Sequence, residues 1–561
     1  MNALLIMVSF ASLSLAATSP PSFSALNATI SGRLQAATPF ALPCFTKFNN
    51  ITVEVDEEAC AIVQANYLKP ALRLDVFGAN INPQWEGCQS TLSRCLLNPS
   101  NPQDVTAFEG ASCNQGEIPQ FYIDVSTPAD VQAAFAFSAE SNIPLSIKNT
   151  GHDYFGRTRR EGSLGIWTHH LDSMTFNPHF TPESCTGTFR AITIGAGVTF
   201  DQVYNFADAN NSTFVGGYAE SIGASGGWLM GGGHSVLSPV YGLGVDRVLE
   251  FKIVTPDGVY RTANACQNPD LFWALRGGGG ATFGVVIEST HLVEKTLSFQ
   301  VATIAYNPAA AQAQEFWEIV VNNSLSWGEA GWGGHINSGG LTYVNPLVSL
   351  AEAKESFQQI AAFAVANGGT ATFQTMKSWL PFYEQAVIPK EAPSGELVVL
   401  GSRLIPQTNF ATPAGRAQLV QLMLNQTAAA GFPNIPVTTP VRFTFTEGAT
   451  SVTPAWRGAL WHLVTTALLS YNSTIQDLQA TYTKVHDVVD MMRAVAPDSG
   501  SYFNEGEPYE TNPPESYWGS ENHARLLQIK QKYDPKHLLN CWNCVGSTDE
   551  STFPCYPGLT P

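Results

Sequence analysis

Hydrophobic positions along the chain follow two periods, and the changes between them mark its segments. Phe121-Tyr122-Ile123-Asp124-Val125 is a short apolar run of the kind that forms a buried strand. Leu145-Ser146-Ile147, residues 190–194 and residues 248–254 read the same way. Between the first two runs, Thr127-Pro128-Ala129-Asp130 combines a capping residue with Pro at the first helical turn, which predicts a helix to about Glu140. Short strands with turn signals continue to about residue 290, interleaved with helices, and predict an α+β domain. From about 298 to 495 alternating apolar segments mix with amphipathic helices at 351–366 and 475–495, the pattern of a second α+β unit, a sheet covered by helices. Residues 501–546 return to turn-rich loops with one helix at 523–533. Residues 18 to about 110 are broken by Pro and Gly and carry Cys44, Cys60, Cys88 and Cys95, with Cys113 just beyond. They predict a helical segment stapled by disulfides, with the pairing left open.

Composition narrows the class. The chain has 561 residues, 44% hydrophobic and 13% charged, with 47 Gly and 35 Pro, which fits two or three turn-rich globular domains rather than disorder. A net charge of −18 and the lack of any basic run exclude a nucleic-acid partner. Residues 1–17 are apolar and end in small residues, with Ser14-Leu15-Ala16 before Thr18-Ser19-Pro20-Pro21, so a signal peptide is expected there. No later run is long and apolar enough to cross a bilayer, so no membrane contact is expected after cleavage. Ten scattered Cys and sequons at Asn27, Asn50, Asn210, Asn211, Asn322, Asn425 and Asn472 agree with a secreted, glycosylated, extracellular protein. Cys541-Trp542-Asn543-Cys544 lacks the second ligand pair that a zinc site needs, so disulfides among Cys541, Cys544, Cys555 or distant partners are expected, and no metal.

Three glycine-rich segments fall close together: Lys148-Asn149-Thr150-Gly151-His152, then 216–233, then Arg276-Gly277-Gly278-Gly279-Gly280. Glycine allows positive φ and close approach of backbone N–H groups to an anion, and a pyrophosphate suits such a nest. None has the spacing of a Rossmann fingerprint or of a Gly-Lys-Ser/Thr nucleotide loop.

These segments resemble the vanillyl-alcohol-oxidase/PCMH superfamily of FAD-linked oxidases, in its berberine-bridge-enzyme-like branch. The likeness lies in Ile147 to Asp153, in Gly223 to Gly233 with Tyr241 to Asp246, and in Asp270 to Gly280 with Phe283 to Val286. It continues in Tyr502-Phe503-Asn504-Glu505 and Tyr533-Asp534-Pro535. Trp167-Thr168-His169-His170 and residues 541–546 are similar to secreted fungal isoamyl alcohol oxidases. The resemblance implies a PCMH-type FAD-binding domain at 110–297, completed by a C-terminal segment at 496–546 that follows a substrate domain at 298–495. An N-terminal disulfide-containing segment at 18–109 and a tail at 547–561 complete the chain.

It also implies FAD held covalently through His152. Lys148, Asn149, Thr150, Gly151, Asp153, Gly217, Ala219, Ile222, Gly223, Gly227, Gly233, Gly284 and Val285 would stand around that cofactor. Many relatives carry a second link through a cysteine where this chain has Ala219, so attachment through His152 alone is expected, and an oligosaccharide substrate is disfavoured. Tyr502 and Asn504 are the catalytic candidates, because the matching segment lines the substrate side of the flavin, and Glu505 is a third. His169, His170 and His234 are read as structural. The expected reaction is hydride transfer from a small-molecule alcohol to FAD, with reoxidation by O2 to H2O2, in a monomer. Oxidative cyclisation or desaturation in a secondary-metabolite pathway and a non-catalytic flavin-binding role are the alternatives.

Overall fold

In the computed structural model, residues 22–307, 312–391, 394–430, 433–547, 552–556 and 558 are described; the expected signal peptide lies outside them. The fold is α+β and built on three main sheets. Strands Phe121–Asp124, Leu164–Trp167 and Leu145–Lys148 run parallel, and Leu34–Ala36 pairs antiparallel at the edge. Helix Pro128–Ser141 connects two of these strands and packs Val131, Ala134 and Phe135 into the core against them. Thr127 and Asp130 close its N-terminus as a capping box, and Asp130 also pairs with Arg33.

A five-stranded antiparallel sheet follows, in the order Tyr260–Asn264, Val248–Val254, Val285–Leu292, Phe189–Gly195, Met174–Phe180. A seven-stranded antiparallel sheet forms the other large layer, with Gly333–Asn337 and Ala459–Leu468 among its inner strands. Helices Ala313–Ala330, Pro413–Ala430 and Ile475–Val495 cover one face of it. Alternation along Ala459–Leu468 sends Trp461 and Leu463 into that helix-covered core. His462, between them, faces the opposite side, beside Trp456 and Tyr502.

Two sequence expectations need correction. The helix expected over 351–366 is two helices, Leu350–Ser356 and Gln358–Ala366, because Phe357 leaves helical geometry at φ −109° and ψ 14°. Its ring is held between Trp327, Trp332 and Tyr343, at centroid distances of 4.7, 4.8 and 5.4 Å. Among the described residues before 110, the α-helices are the short Phe23–Thr29, Glu57–Asn66 and Pro70–Leu74, and they alternate with the short strands Leu34–Ala36, Lys47–Phe48 and Ile51–Thr52 and with irregular chain, so the segment is not mainly helical.

Disulfides staple that region internally, Cys44 to Cys60 and Cys95 to Cys113. Cys88–Cys555 ties it to the C-terminal tail, and Cys185–Cys266 and Cys541–Cys544 use the remaining cysteines. Helix Ser520–Tyr533 anchors the C-terminal segment through the buried Lys530, which donates to the carbonyls of Thr282 and Leu539 and to Asp534.

Candidate functional site

The glycine-rich loops meet the 502–505 segment around a cleft of about 1090 Å³, counted with its solvent-open mouth. Most of its surface is apolar, as in ligand pockets generally, with a few polar groups converging on it. The first wall is the turn that follows strand Leu145–Lys148. Gly151 has φ +84°, in the left-handed region that a residue without Cβ enters freely. Asn149 donates to Thr168 Oγ1 at 3.1 Å and to the carbonyl of Ala196, while its buried Oδ1 has no partner. That oxygen lies only 1.9 Å from where a Cβ on Gly223 would stand, so the two loops approach this closely only with glycine there. Thr150 Oγ1 accepts from the Gly223 N–H at 3.3 Å.

His152 stands on the cleft wall with Nε2 2.7 Å from Ser221 Oγ, and no hydrogen bond engages its Nδ1 among the described residues. Burial pulls its pKa down to about 3, so the imidazole is neutral at any ordinary pH. Asp153 pairs with Arg157, whose guanidinium lies 4.0 Å from the Phe503 ring centroid and so joins this loop to the C-terminal segment.

On the opposite wall, Tyr502 is almost fully buried. Its hydroxyl accepts from Asn504 Nδ2 at 2.7 Å and lies 3.4 Å from the Trp228 carbonyl. Asn504 Nδ2 also donates to the Gly227 carbonyl at 2.8 Å. Burial, reinforced by the charge of Glu505, pushes the Tyr502 phenol well above its usual range, so it stays protonated. Glu505 lies 3.1 Å from His234 Nε2 and 3.7 Å from His462 Nδ1. Burial alone would raise its pKa, but the attraction and hydrogen bond of His234, with His462 and His335 behind it, bring it down to about 2.

Of the residues singled out from sequence, Asn149, Thr150, Gly151, His152, Asp153, Ile222, Gly223, Gly227, Gly284, Val285, Tyr502 and Asn504 line this cleft. Four do not. Lys148 is buried beneath the turn and donates to the carbonyls of Val76, Phe77 and Ala79, fixing the loop from behind. The Gly217 carbonyl accepts from Tyr204 OH at 2.5 Å, and Gly217 packs against Phe200. The Ala219 carbonyl closes a turn onto the Ile222 N–H. Gly233 lies under Trp228 and against Gly244. His169 and His170 face Asp75 and Asp124 away from the cleft, but His234 joins it through Glu505.

Ser221, Arg157 and His462 were not singled out. His462 alone left a trace, as a lone imidazole in the apolar run Leu460-Trp461-His462-Leu463.

The 217–222 loop meets the segment ending at Glu391, whose carboxylate accepts from the Glu220 N–H at 3.3 Å. Burial, together with the Glu220 charge, raises the Glu391 pKa to about 7. A carboxyl raised on folding stabilises fully below its unfolded pKa, and that contribution is lost as pH climbs through the folded value. Glu391→Gln is therefore expected to flatten the decline in Tm between about pH 4.5 and 7 and to leave the variant the more stable above pH 7. Thermal melts across that range check it, and parallel profiles for the two proteins would refute it.

Comparison with known proteins gives two family matches. A family described as "FAD binding domain" matches residues 119–264, and one described as "Berberine and berberine like" matches residues 501–543. The chain is 40% identical to FAD-linked oxidoreductase ffsJ of Aspergillus flavipes, over 95% of this chain and 93% of that one. It is 37% identical to FAD-linked oxidoreductase OXR2 of Pyricularia oryzae, over 94% and 93%. The crystal structure of the VAO-type flavoprotein MtVAO615 from Myceliophthora thermophila C1 superposes with a TM-score of 0.82 at 26% identity, covering 96% of this chain and 97% of that one.

Proposed function

The chain belongs to the FAD-linked oxidoreductases of the vanillyl-alcohol-oxidase and berberine-bridge type, and from that premise we propose that it is a secreted oxidase holding FAD covalently on His152 and oxidising a small organic alcohol. When bound, FAD supplies the redox chemistry, accepting hydride from the alcohol carbon and passing the electrons to O2 to give H2O2. The residues present fit it. The buried, unpartnered Oδ1 of Asn149 awaits a donor, and Gly227 points its missing Cβ into open space, where any side chain would fill the cleft. Gly227→Val is accordingly expected to lower flavin content several-fold with little change in folding, measured as flavin absorbance per protein beside the circular dichroism spectrum.

The observation that carries the reading is that His152 and the trio Tyr502, Asn504 and Glu505 line one cleft. His152 is neutral with Nε2 committed to Ser221, which leaves Nδ1 as the nitrogen for the covalent bond. Tyr502 and Asn504 bind and orient the substrate hydroxyl, and the ionised Glu505 is the group that takes its proton. Ala219, in place of the second linking residue of many relatives, supports a single attachment and a substrate smaller than an oligosaccharide. Secretion is supported by five disulfides and by the apolar start of the sequence. Among the described residues no helix is long and apolar enough to cross a membrane.

The test is anaerobic mixing of purified protein with a series of simple alcohols, followed by admission of air. Bleaching of the flavin, its return in air and one peroxide per turnover are expected. Reduction by polycyclic donors and by no simple alcohol would move the assignment to ring-forming oxidation. A flavin that no donor reduces would leave only a binding role.

A further inference from the structure

Behind Glu505 on the cleft wall lie imidazoles that alcohol oxidation does not use. His234 follows the short helix Gly227–Gly231, and His462 comes from the inner strand Ala459–Leu468 of the seven-stranded sheet. Their ring centroids are 5.2 Å apart and nearly perpendicular, and both rings pack against Trp456 and Tyr502. His335, on strand Gly333–Asn337 two places from Ala459–Leu468 in the same sheet, lies close enough to add its field to Glu505. One donor atom each from His234, His462 and Glu505 falls within 4.8 Å of the other two. His462 has no exposed surface, and neither of its ring nitrogens has a hydrogen-bond partner; His234 Nδ1 has none either. A buried imidazole without partners is costly, and a satisfied structural histidine does not look like this.

The geometry points to a metal site. Bonds of about 2.0–2.1 Å in a tetrahedral site put ligand atoms roughly 3.3–3.5 Å apart. His234 Nε2 lies 3.1 Å from one Glu505 oxygen and His462 Nδ1 3.7 Å from the other, and one donor atom of each of the three residues falls within 4.8 Å of the other two, so a small side-chain adjustment brings all three to that spacing. We propose that His234, His462 and Glu505 bind one divalent transition-metal ion of the zinc class, with an open position toward the cleft that accepts a substrate oxygen. Two imidazoles and a carboxylate are a ligand set that leaves zinc such a position, and one carboxylate leaves the ion with a net positive charge that favours a hydroxyl or alkoxide oxygen there. Glu505 ligates through one oxygen and keeps the second as a proton acceptor. The ion is argued from the ligands alone; only the identity of the fourth ligand rests on reading the cleft as an alcohol site.

Flavin-loaded protein, prepared without chelator or polyhistidine tag, is analysed for metals by plasma mass spectrometry beside its flavin absorbance. It is then stripped with a chelator and titrated with Zn2+ alone by calorimetry. About one ion per chain, taken up saturably after stripping, is expected. His462→Gln is expected to lower occupancy and Zn2+ affinity at least tenfold, with the flavin content of the wild type and the Tm of the metal-stripped wild type. Should that variant fold poorly, His234→Gln takes its place, and the titration of stripped wild type reads the site without any substitution. Wild type with under about a tenth of an equivalent of metal and no saturable Zn2+ uptake overturns the proposal, as does uptake unchanged in the folded variants. Metal without flavin reduction by any donor supports the site and overturns the oxidase reading. Metal-free protein reduced by an alcohol does the reverse.

Discussion

His152→Ala is expected to free the cofactor: acid precipitation of the variant leaves yellow flavin in the supernatant, whereas the wild type carries its fluorescence into the denatured pellet. Three features of the site make the effect close to all-or-none. Ser221 occupies Nε2, so a single ring nitrogen is left for a bond to carbon. Burial keeps the ring neutral, hence nucleophilic, at every working pH. Position 219 is alanine and all ten cysteines lie in disulfides, so no thiol is left to hold the cofactor by a second bond. The cleft itself is expected to survive, because its loops are fixed by groups that do not involve His152: Lys148 from below, Asn149 on Thr168, and Arg157 on Phe503. The variant therefore takes up added FAD reversibly, which a spectroscopic titration measures. In-gel fluorescence under denaturing conditions gives the covalent fraction directly. Flavin that stays on the His152→Ala peptide would move the attachment elsewhere, and flavin that washes out of wild type would remove it altogether.

How much of this was legible before the structure follows from what local chain chemistry encodes. The strand at 248–254 and the helix at 475–495 match the sequence expectation to the residue, because an apolar run between turn signals and an amphipathic period leave little choice, and Thr474 caps the helix in the structure. The 351–366 helix was misjudged because its break at Phe357 comes from three distant aromatic side chains and not from any Gly or Pro in the segment. The same divide runs through the site. Residues that touch the cleft through a glycine-bearing loop, such as Gly151 and Gly223, announce themselves through their type and spacing. Lys148 carries the same local signal yet points the other way, because the carbonyls of Val76, Phe77 and Ala79 come from a segment some seventy residues earlier in the chain. Ser221 and His462 were silent because their importance is purely a matter of what folding puts beside them. Nothing local to His234 marks its partner, since Glu505 lies 271 positions away.

Glu505→Gln is expected to lower the rate of anaerobic flavin reduction by substrate by about 10²–10⁴-fold, the range for losing a positioned acid–base group. The substitution keeps the size of the side chain and leaves an amide oxygen for His234, so it removes the negative charge and the proton acceptor with little disturbance of packing. Tyr502 cannot stand in for it. The phenol is held protonated far above ordinary pH, and its hydroxyl already accepts from Asn504, so Tyr502→Phe is expected to cost only about tenfold, as the loss of one orienting hydrogen bond. The order of the two variants is thus the decisive reading, taken by stopped-flow in single turnover: a larger loss in Tyr502→Phe would hand the proton to the phenol. Reoxidation of reduced flavin by oxygen should be nearly unchanged in both, because neither group is asked to act in that half-reaction. The pH dependence carries the same signature. With its folded pKa drawn down to about 2, Glu505 is ionised throughout the working range and adds no limb to the rate profile above pH 4. A carboxylate depressed on folding contributes stability that is present above its unfolded value, 4.5, and is lost as pH falls toward 2. If the same residue also ligates an ion, metal content measured on the stopped-flow samples separates the two roles. Occupancy retained with the rate lost assigns the proton to Glu505, whereas occupancy and rate lost together assign the effect to the ion.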